Sequence, residues 1–562
     1  MIVLTVKRPP LAYVCRWLTV KALEKPGFGC RRCKAYAPIS QAKGQRGNDR
    51  FLWSDQSRTD LGPAFFYALL SMVGVRACAV YGHTGSPPEK RKGAFAMDLD
   101  QIWDSLVTAS DQLAGVVKIA SDFVWDNILI YVLVLGGIFF TLRLGFVQVR
   151  KFGEGFRRLF GGFNLFGKKA SKDGMSSFQA LATAIAAQVG TGNITGCATA
   201  LVSGGPGAIF WMWVAAFFGM ATIYAEAILA QHFKTKDENG HVVGGPVYYI
   251  RAAFQNKFGK FLAGFFSVAL ILALGFMGNM VQSNSISDAF YTAFGMPKIA
   301  VGIVVAAVAA FIFLGGVKRI ASVTEKIVPL MAGIYIVGSL IVIIANWQNI
   351  PATFAHIFQG AFNPQAVLGG AAGITMREAM RYGVARGLFS NEAGMGSTPH
   401  AHAMAKVEKP QDQGVVAMIG VFIDTFIVLT LTALVMLTTN AVATGTEGTA
   451  LAQTAFSSLY GSFGNAFVAI CMLFFAFSTI IGWYFFGEQN VRYLLGQKAV
   501  KIYAAIVVVC IIIGSCLKLD LVWNMADFFN GIMVLPNLIA LVALSSLVVR
   551  IHKGEENRLP QH

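Results

Sequence analysis

Long apolar runs recur along this chain at near-regular intervals, separated by short polar and basic stretches. From Met97 onward eleven runs have the length a helix needs to cross a bilayer, about 20 residues. They are 124–142, 178–202, 208–231, 261–287, 299–316, 327–345, 371–400, 415–438, 464–487, 500–517 and 521–549. The pattern predicts an all-α membrane protein, because a helix satisfies its own backbone polar groups inside lipid. One run departs from the rest. Segment 371–400 carries Arg377, Glu378, Arg381, Arg386 and Glu392, and charge is too costly in lipid for this segment to face it. It is expected to face protein or water.

The connecting segments predict a sidedness. Alternate ones are basic: Arg143, Arg150, Lys151, Arg157 and Arg158 follow the first run, Lys234, Lys236, Arg251 and Lys257 the third, and Lys318 with Arg319 the fifth. The opposite ones hold little beyond Lys298 and Lys518, and no Lys or Arg occurs in 346–370 or 439–463. Basic loops stay cytoplasmic, so the N-terminus is expected outside and the C-terminus inside.

Composition agrees with the pattern: 55% of residues are hydrophobic and 13% charged, against about 25% charged in a soluble domain. The net charge of +17 is unevenly spread. Residues 1–96 hold 16 Lys and Arg against 5 Asp and Glu, a net of +11, and their one apolar run, 64–75, is too short to span. This part is either a disordered basic extension or precedes the functional start. The second is the expectation, with Met97 opening the membrane domain over 97–555. Cys30 and Cys33 stand without a second ligand pair at zinc spacing. Cys197, Cys471, Cys510 and Cys516 lie in apolar runs, as small hydrophobes do.

Two of the runs are interrupted. In the second, Gly190-Thr191-Gly192-Asn193 sits near mid-membrane. Each Gly costs a helix about 1 kcal/mol relative to Ala, so the pair favours unwinding. Unwinding frees backbone carbonyls that suit a cation, and it exposes a half-helix N-terminus that suits a carboxylate. Close helix packing through the glycines is the plainer alternative. The second interruption, Gly387 through Pro399, falls five runs later and contains Asn391, Glu392, Gly394 and Gly396. Paired breaks in two halves of a bundle point to a secondary-transporter site; otherwise 387–399 is a loop between shorter helices. Asn279 and Gln282 share a helix face, either to read an amino acid or to join helices. Ser478 and Thr479 are adjacent hydroxyls that complete a neutral oxygen cage for Na⁺ or bond back to their own helix. Trp483 lies one turn further on.

Three carboxylates occur at membrane depth: Glu226, Asp424 and Glu392. Asp424 is the deepest and keeps proton coupling open as an alternative, whereas Glu226 lies near an end and reads as structural. Gly162 to Lys168 nearly matches a phosphate-binding loop, but Lys169 stands where Ser or Thr is needed. His400 and His402 lack a metal-ligand set. Nothing points to an enzyme, an ATP-driven pump or a cofactor. A passive channel is disfavoured by the broken helices, and an amino-acid sensor by the lack of a signalling domain.

At Gly190–Ile194, Gly204–Trp213, Met220–Glu226, Gly244–Tyr249, Asn279–Gln282, Arg386–Gly394 and Ser478–Trp483 the chain closely resembles the alanine or glycine:cation symporter family, over about 100–550. The resemblance implies a leucine-transporter-like fold of two five-helix inverted repeats, 178–345 and 371–517, with one extra helix before them and a last helix, 521–549, after. It implies Na⁺-driven uptake of alanine or glycine across the bacterial inner membrane. Carried over by motif, Gly190, Thr191, Gly192 and Asn193 hold the substrate carboxylate, and Gln282, Phe389, Ser390 and Trp483 line the rest of the pocket. The Na⁺ site takes the carbonyls of Ala186 and Val189 and the hydroxyls of Ser478 and Thr479. The alternative is a proton-coupled transporter of the same fold.

Overall fold

A computed structural model describes residues 114–161, 174–238, 240–363, 375–517 and 519–556. The basic extension 1–96 lies outside the described residues. Seven described helices are long and apolar enough to cross a membrane. They are α1 (Ala114–Arg143), α5 (Gly207–His232), α7 (Lys257–Phe294), α9 (Gly316–Ala345), α13 (Pro410–Thr438), α15 (Ser462–Leu495) and α17 (Leu519–Ala543). Two shorter apolar helices are α8 (Lys298–Phe313) and α16 (Ala499–Gly514). The interrupted segments fold as α3 (Ser177–Gln188) with α4 (Cys197–Gly204), and as α11 (Met376–Asn391) with α12 (Pro399–Ala403).

Both interrupted segments start with the same device. Ser176 accepts the Gln179 amide at 3.0 Å while the Gln179 side chain takes the Ser176 amide at 3.1 Å. Thr375 and Glu378 repeat this at 3.2 and 2.7 Å. These are capping boxes, which satisfy two of the N–H groups that a helix start leaves free. Proline opens α6 (Pro246–Ala253), α12 and α13, where its missing N–H costs nothing.

Several expected boundaries move. In the charged segment the two later arginines are paired with neighbouring helices. Arg381 pairs with Asp122 and Asp126 of α1, and Arg386 makes two bonds to Asp527 of α17 at 3.0 and 2.8 Å. The stretches 346–370 and 439–463 are not plain loops: they contain α10 (Ile350–Phe362) and α14 (Gly448–Tyr460). Each is 13 residues long, too short to span, so a search for spanning runs passes over them. The segment after α1 holds amphipathic α2 (Phe152–Gly161), which packs on α13. A two-residue ribbon pairs Thr235 with Val243 beyond α5, and an isolated bridge joins Met175 to Ala405. The last run bends at Leu544 into α18 (Ser545–Lys553).

Counted as apolar runs, 178–345 holds five and 371–517 four, with 521–549 following as the next run.

Helix contacts are close where glycine allows. A Cβ on Gly482 of α15 would lie 2.8 Å from the Ala187 Cβ and 3.0 Å from its Cα, so α15 and α3 touch backbone to backbone. A Cβ on Gly264 of α7 would meet nothing within 4 Å. Gly482→Ala is therefore expected to lower stability by about 1–3 kcal/mol, and Gly264→Ala to raise it slightly, by up to about 1 kcal/mol of helix propensity. Thermal denaturation of the two detergent-purified variants checks the contrast.

Candidate functional site

The first break is short. Val189 is extended at φ −83° and ψ 92°, Thr191 is already helical, and Gly192–Gly196 form a wide π-type turn leading into α4. The second break is longer. Glu392 takes a left-handed φ of 56°, and Gly394 and Gly396 follow at 88° and 81°. Similar wide turns occupy Ile271–Gly278 within α7 and Phe422–Leu429 within α13. Such turns carry an unpaired carbonyl or a displaced side chain and gather at functional sites. A further one, Trp125–Leu129, lies in α1, whose Leu133 reaches Gly394 of the second break.

Backbone amides freed at the breaks are taken up by side chains. The Gly190 N–H donates to Asn193 Oδ1 at 2.9 Å, and the Thr191 N–H donates to Gln282 Oε1 of α7 at 3.1 Å. The Gly394 and Gly396 N–H groups each donate to Glu226 of α5 at 3.0 Å. Asn537 of α17 fixes that carboxylate from the other side, donating to it at 2.5 Å and to the Gly394 carbonyl at 2.9 Å. Glu226 is thus a clamp on the second break, consistent with its expected structural part.

Asp424 joins the two breaks. Asn193 Nδ2 donates to it at 2.7 Å from the first, and Ser390 Oγ donates at 2.9 and 3.0 Å from the second. Thr425 Oγ1 adds a bond at 2.9 Å. All four residues are fully buried, and no Lys or Arg pairs with Asp424 among the described residues.

The other expected residues fall around this centre. The Thr479 hydroxyl lies 3.0 Å from the Ala186 carbonyl and 3.4 Å from that of Val189. It sits so close to Gly190 that a Cβ there would lie 2.2 Å from it. Gly192 faces Ser390 and Phe389, with a Cβ 3.1 Å from the Ser390 Cα and 3.3 Å from Phe389 Cδ1. Phe389 meets Trp483 edge to face at 5.7 Å. Ser478 stands apart: its hydroxyl donates to the Phe475 carbonyl at 2.8 Å and lies 3.4 Å from Met331 Sδ. His400 is used structurally. Asn490 donates to its Nε2 at 2.9 Å, so its Nδ1–H donates to the Ser397 carbonyl at 2.7 Å.

Some of this was missing from the sequence reading. Trp523 of α17 stacks obliquely on Phe389 at 5.2 Å and receives the Arg386 guanidinium over its face at 5.3 Å. The Arg386–Asp527 pair therefore caps the aromatic cluster on one side. Arg386 was visible as a charge in an apolar run, but its partner 141 residues away was not. The carboxylates were also visible, but not that one of them would bridge both breaks.

Asp424→Asn replaces one of two acceptor oxygens by a donor, so at least one of the facing Asn193, Ser390 and Thr425 donors loses its partner. Leaving a buried donor unpaired costs about 1–3 kcal/mol. The variant is expected to melt earlier by that amount, and Asp424→Asn combined with Asn193→Ala to be less than additive.

A family model described as the sodium:alanine symporter family matches residues 110–559. Sodium/alanine symporter AgcS of Methanococcus maripaludis is 43% identical over 77% of this chain and 95% of its own length. The Bacillus subtilis protein named "Probable sodium/glutamine symporter GlnT" is 43% identical over 78% of this chain and 89% of its own. A Haemophilus influenzae protein described as an uncharacterized transporter is 41% identical over 80% and 97%. Among solved structures, MhsT in complex with L-phenylalanine superposes at a TM-score of 0.49, with 12% identity, over 69% of this chain and 99% of that one. The matched span takes in both breaks, Asp424 and the helices that carry them, and the chain belongs to the sodium:alanine symporter family.

Proposed function

We propose that this protein carries alanine or glycine into a bacterial cell together with Na⁺, by alternating access in the inner membrane. One observation carries the reading: two helices break, and the polar groups around both breaks converge on one buried place at Asn193, Ser390 and Asp424. The segments α3 to α9 and α11 to α17 run in the same order of interrupted, long, longest, short and long. With α1 this makes eleven spans, two five-helix halves in inverted orientation and one extra helix at the start. Basic loops on alternate sides support an outside N-terminus and a cytoplasmic C-terminus.

In this reading the substrate carboxylate lies at Gly190, Thr191, Gly192 and Asn193. The Thr191 hydroxyl and Gln282 Nε2 are buried side-chain atoms without a hydrogen-bond partner among the described residues, and both donate, as a carboxylate requires. Phe389, Ser390 and Trp483 close the pocket around a small side chain. Na⁺ is a hard cation and takes oxygen ligands. The Ala186 and Val189 carbonyls and the Thr479 hydroxyl already lie together, and rotation of the Ser478 hydroxyl away from Phe475 would add a fourth oxygen. The name of the relative AgcS supports Na⁺ and alanine, while that of GlnT puts glutamine into any test of substrate range.

A specific observation favours a second reading, proton coupling: Asp424 is a buried carboxylate without a cationic partner among the described residues, bonded to both breaks. Uptake of labelled alanine into proteoliposomes separates the two. Accumulation is expected under an inward Na⁺ gradient and not under an H⁺ gradient alone; equal accumulation without Na⁺ would overturn Na⁺ coupling. Thr479→Ala removes one cation ligand, so it is expected to raise the Na⁺ concentration for half-maximal uptake roughly tenfold, the equivalent of about one hydrogen bond, with a smaller change in the alanine KM.

A further inference from the structure

Trp483 is held at three points. Its Nε1–H donates to Glu392 Oε1 at 2.5 Å. The opposite edge of the indole lies against Gly278 of α7, where a Cβ would come within 2.5 Å of Cζ3 and 2.6 Å of Cε3. The Phe389 ring meets it at 5.7 Å and 89°. A ring confined on both edges and at its face has no room to turn, so its position is set by its neighbours.

Glu392 is the unusual member of the three. It is fully buried, and its side-chain partners among the described residues are the Trp483 indole and the Ser397 hydroxyl, with no Lys or Arg. A buried carboxylate bonded only to neutral donors is an expensive way to orient a ring. Its backbone is costly too, since a left-handed φ of 56° is uncommon for a residue with a Cβ. That conformation is what ends α11 and turns the Glu392 side chain toward α15. The acceptor is therefore built into the second break itself.

We propose that Glu392 is a positioning residue that sets substrate size: by fixing the Trp483 indole against Gly278, it limits the side chain the pocket accepts. The inference rests on Trp483 being a pocket wall, as read above. It adds that the wall is tied to the second break, so a rearrangement of residues 392–397 moves the pocket boundary with it.

The test compares Glu392→Gln and Glu392→Asp with the wild type. The Gln amide oxygen stands where the carboxylate oxygen stood and still accepts the indole N–H; Asp keeps the charge but withdraws its oxygens by one methylene. Uptake of the best-transported amino acid is competed by a series of rising size: glycine, alanine, valine, leucine, methionine and glutamine. Glu392→Gln is expected to keep the wild-type size limit. Glu392→Asp is expected to relax it, with leucine or methionine halving uptake at concentrations at least tenfold lower than in the wild type. Gly278→Ala presses on the ring from the other edge and is expected to shift the limit the opposite way, raising the KM for alanine more than that for glycine. An unchanged competition order in Glu392→Asp, or a relaxed one in Glu392→Gln, would overturn the proposal. The wild-type arm separates the two readings. A wild type that concentrates glutamine but neither alanine nor glycine overturns the substrate assignment, while the size comparison between variants still decides the part played by Glu392.

Discussion

Inside a bilayer every backbone N–H and C=O needs a partner from the protein itself. A helix that breaks there gives up several such partners at once, and the rest of this structure follows from how they are replaced. At the first break the replacements come from Asn193 in the same segment and from Gln282 of α7. At the second they come from Glu226 of α5, itself held by Asn537 of α17. The breaks persist because other helices supply the missing acceptors, and those helices are thereby fixed in place around the site.

The same constraint explains the carboxylates. Glu226, Glu392 and Asp424 are fully buried, and none has a cationic partner among the described residues. Charge at membrane depth is normally paired or turned to water. Here each carboxylate instead collects donors that a break or its surroundings leave available: two backbone amides and the Asn537 side-chain amide for Glu226, an indole N–H and a hydroxyl for Glu392, and a side-chain amide with two hydroxyls for Asp424. The cost of burial is offset by strong bonds from donors that would otherwise be unpaired. Removing either side leaves the other exposed to the same penalty.

Where cations are present in this region they lie further out. Arg386 pairs with Asp527 and covers Trp523, and Arg381 pairs with α1. The aromatic rings run from the Arg386 pair through Trp523 to Phe389, which meets Gly192 of the first break on one side and Trp483 on another. This ordering leaves the ion pairs partly exposed and the neutral donors fully buried, where desolvation is greatest.

Much of the architecture was legible from residue order alone. Spanning runs follow from length and apolarity, and both breaks from glycines placed among polar residues. These are local properties: a helix start or a helix interruption is decided by residues within a turn or two of it. The helices α10 and α14 were missed because at 13 residues they fall below the length that marks a span. The partners Asn193 with Asp424, Arg386 with Asp527, and Trp483 with Glu392 lie 231, 141 and 91 residues apart. The chain itself determined that it crosses a membrane, and where its helices give way. Only packing decided which distant groups meet there, because burial strips those groups of water and leaves each one to be satisfied by whatever the neighbouring helices bring within reach.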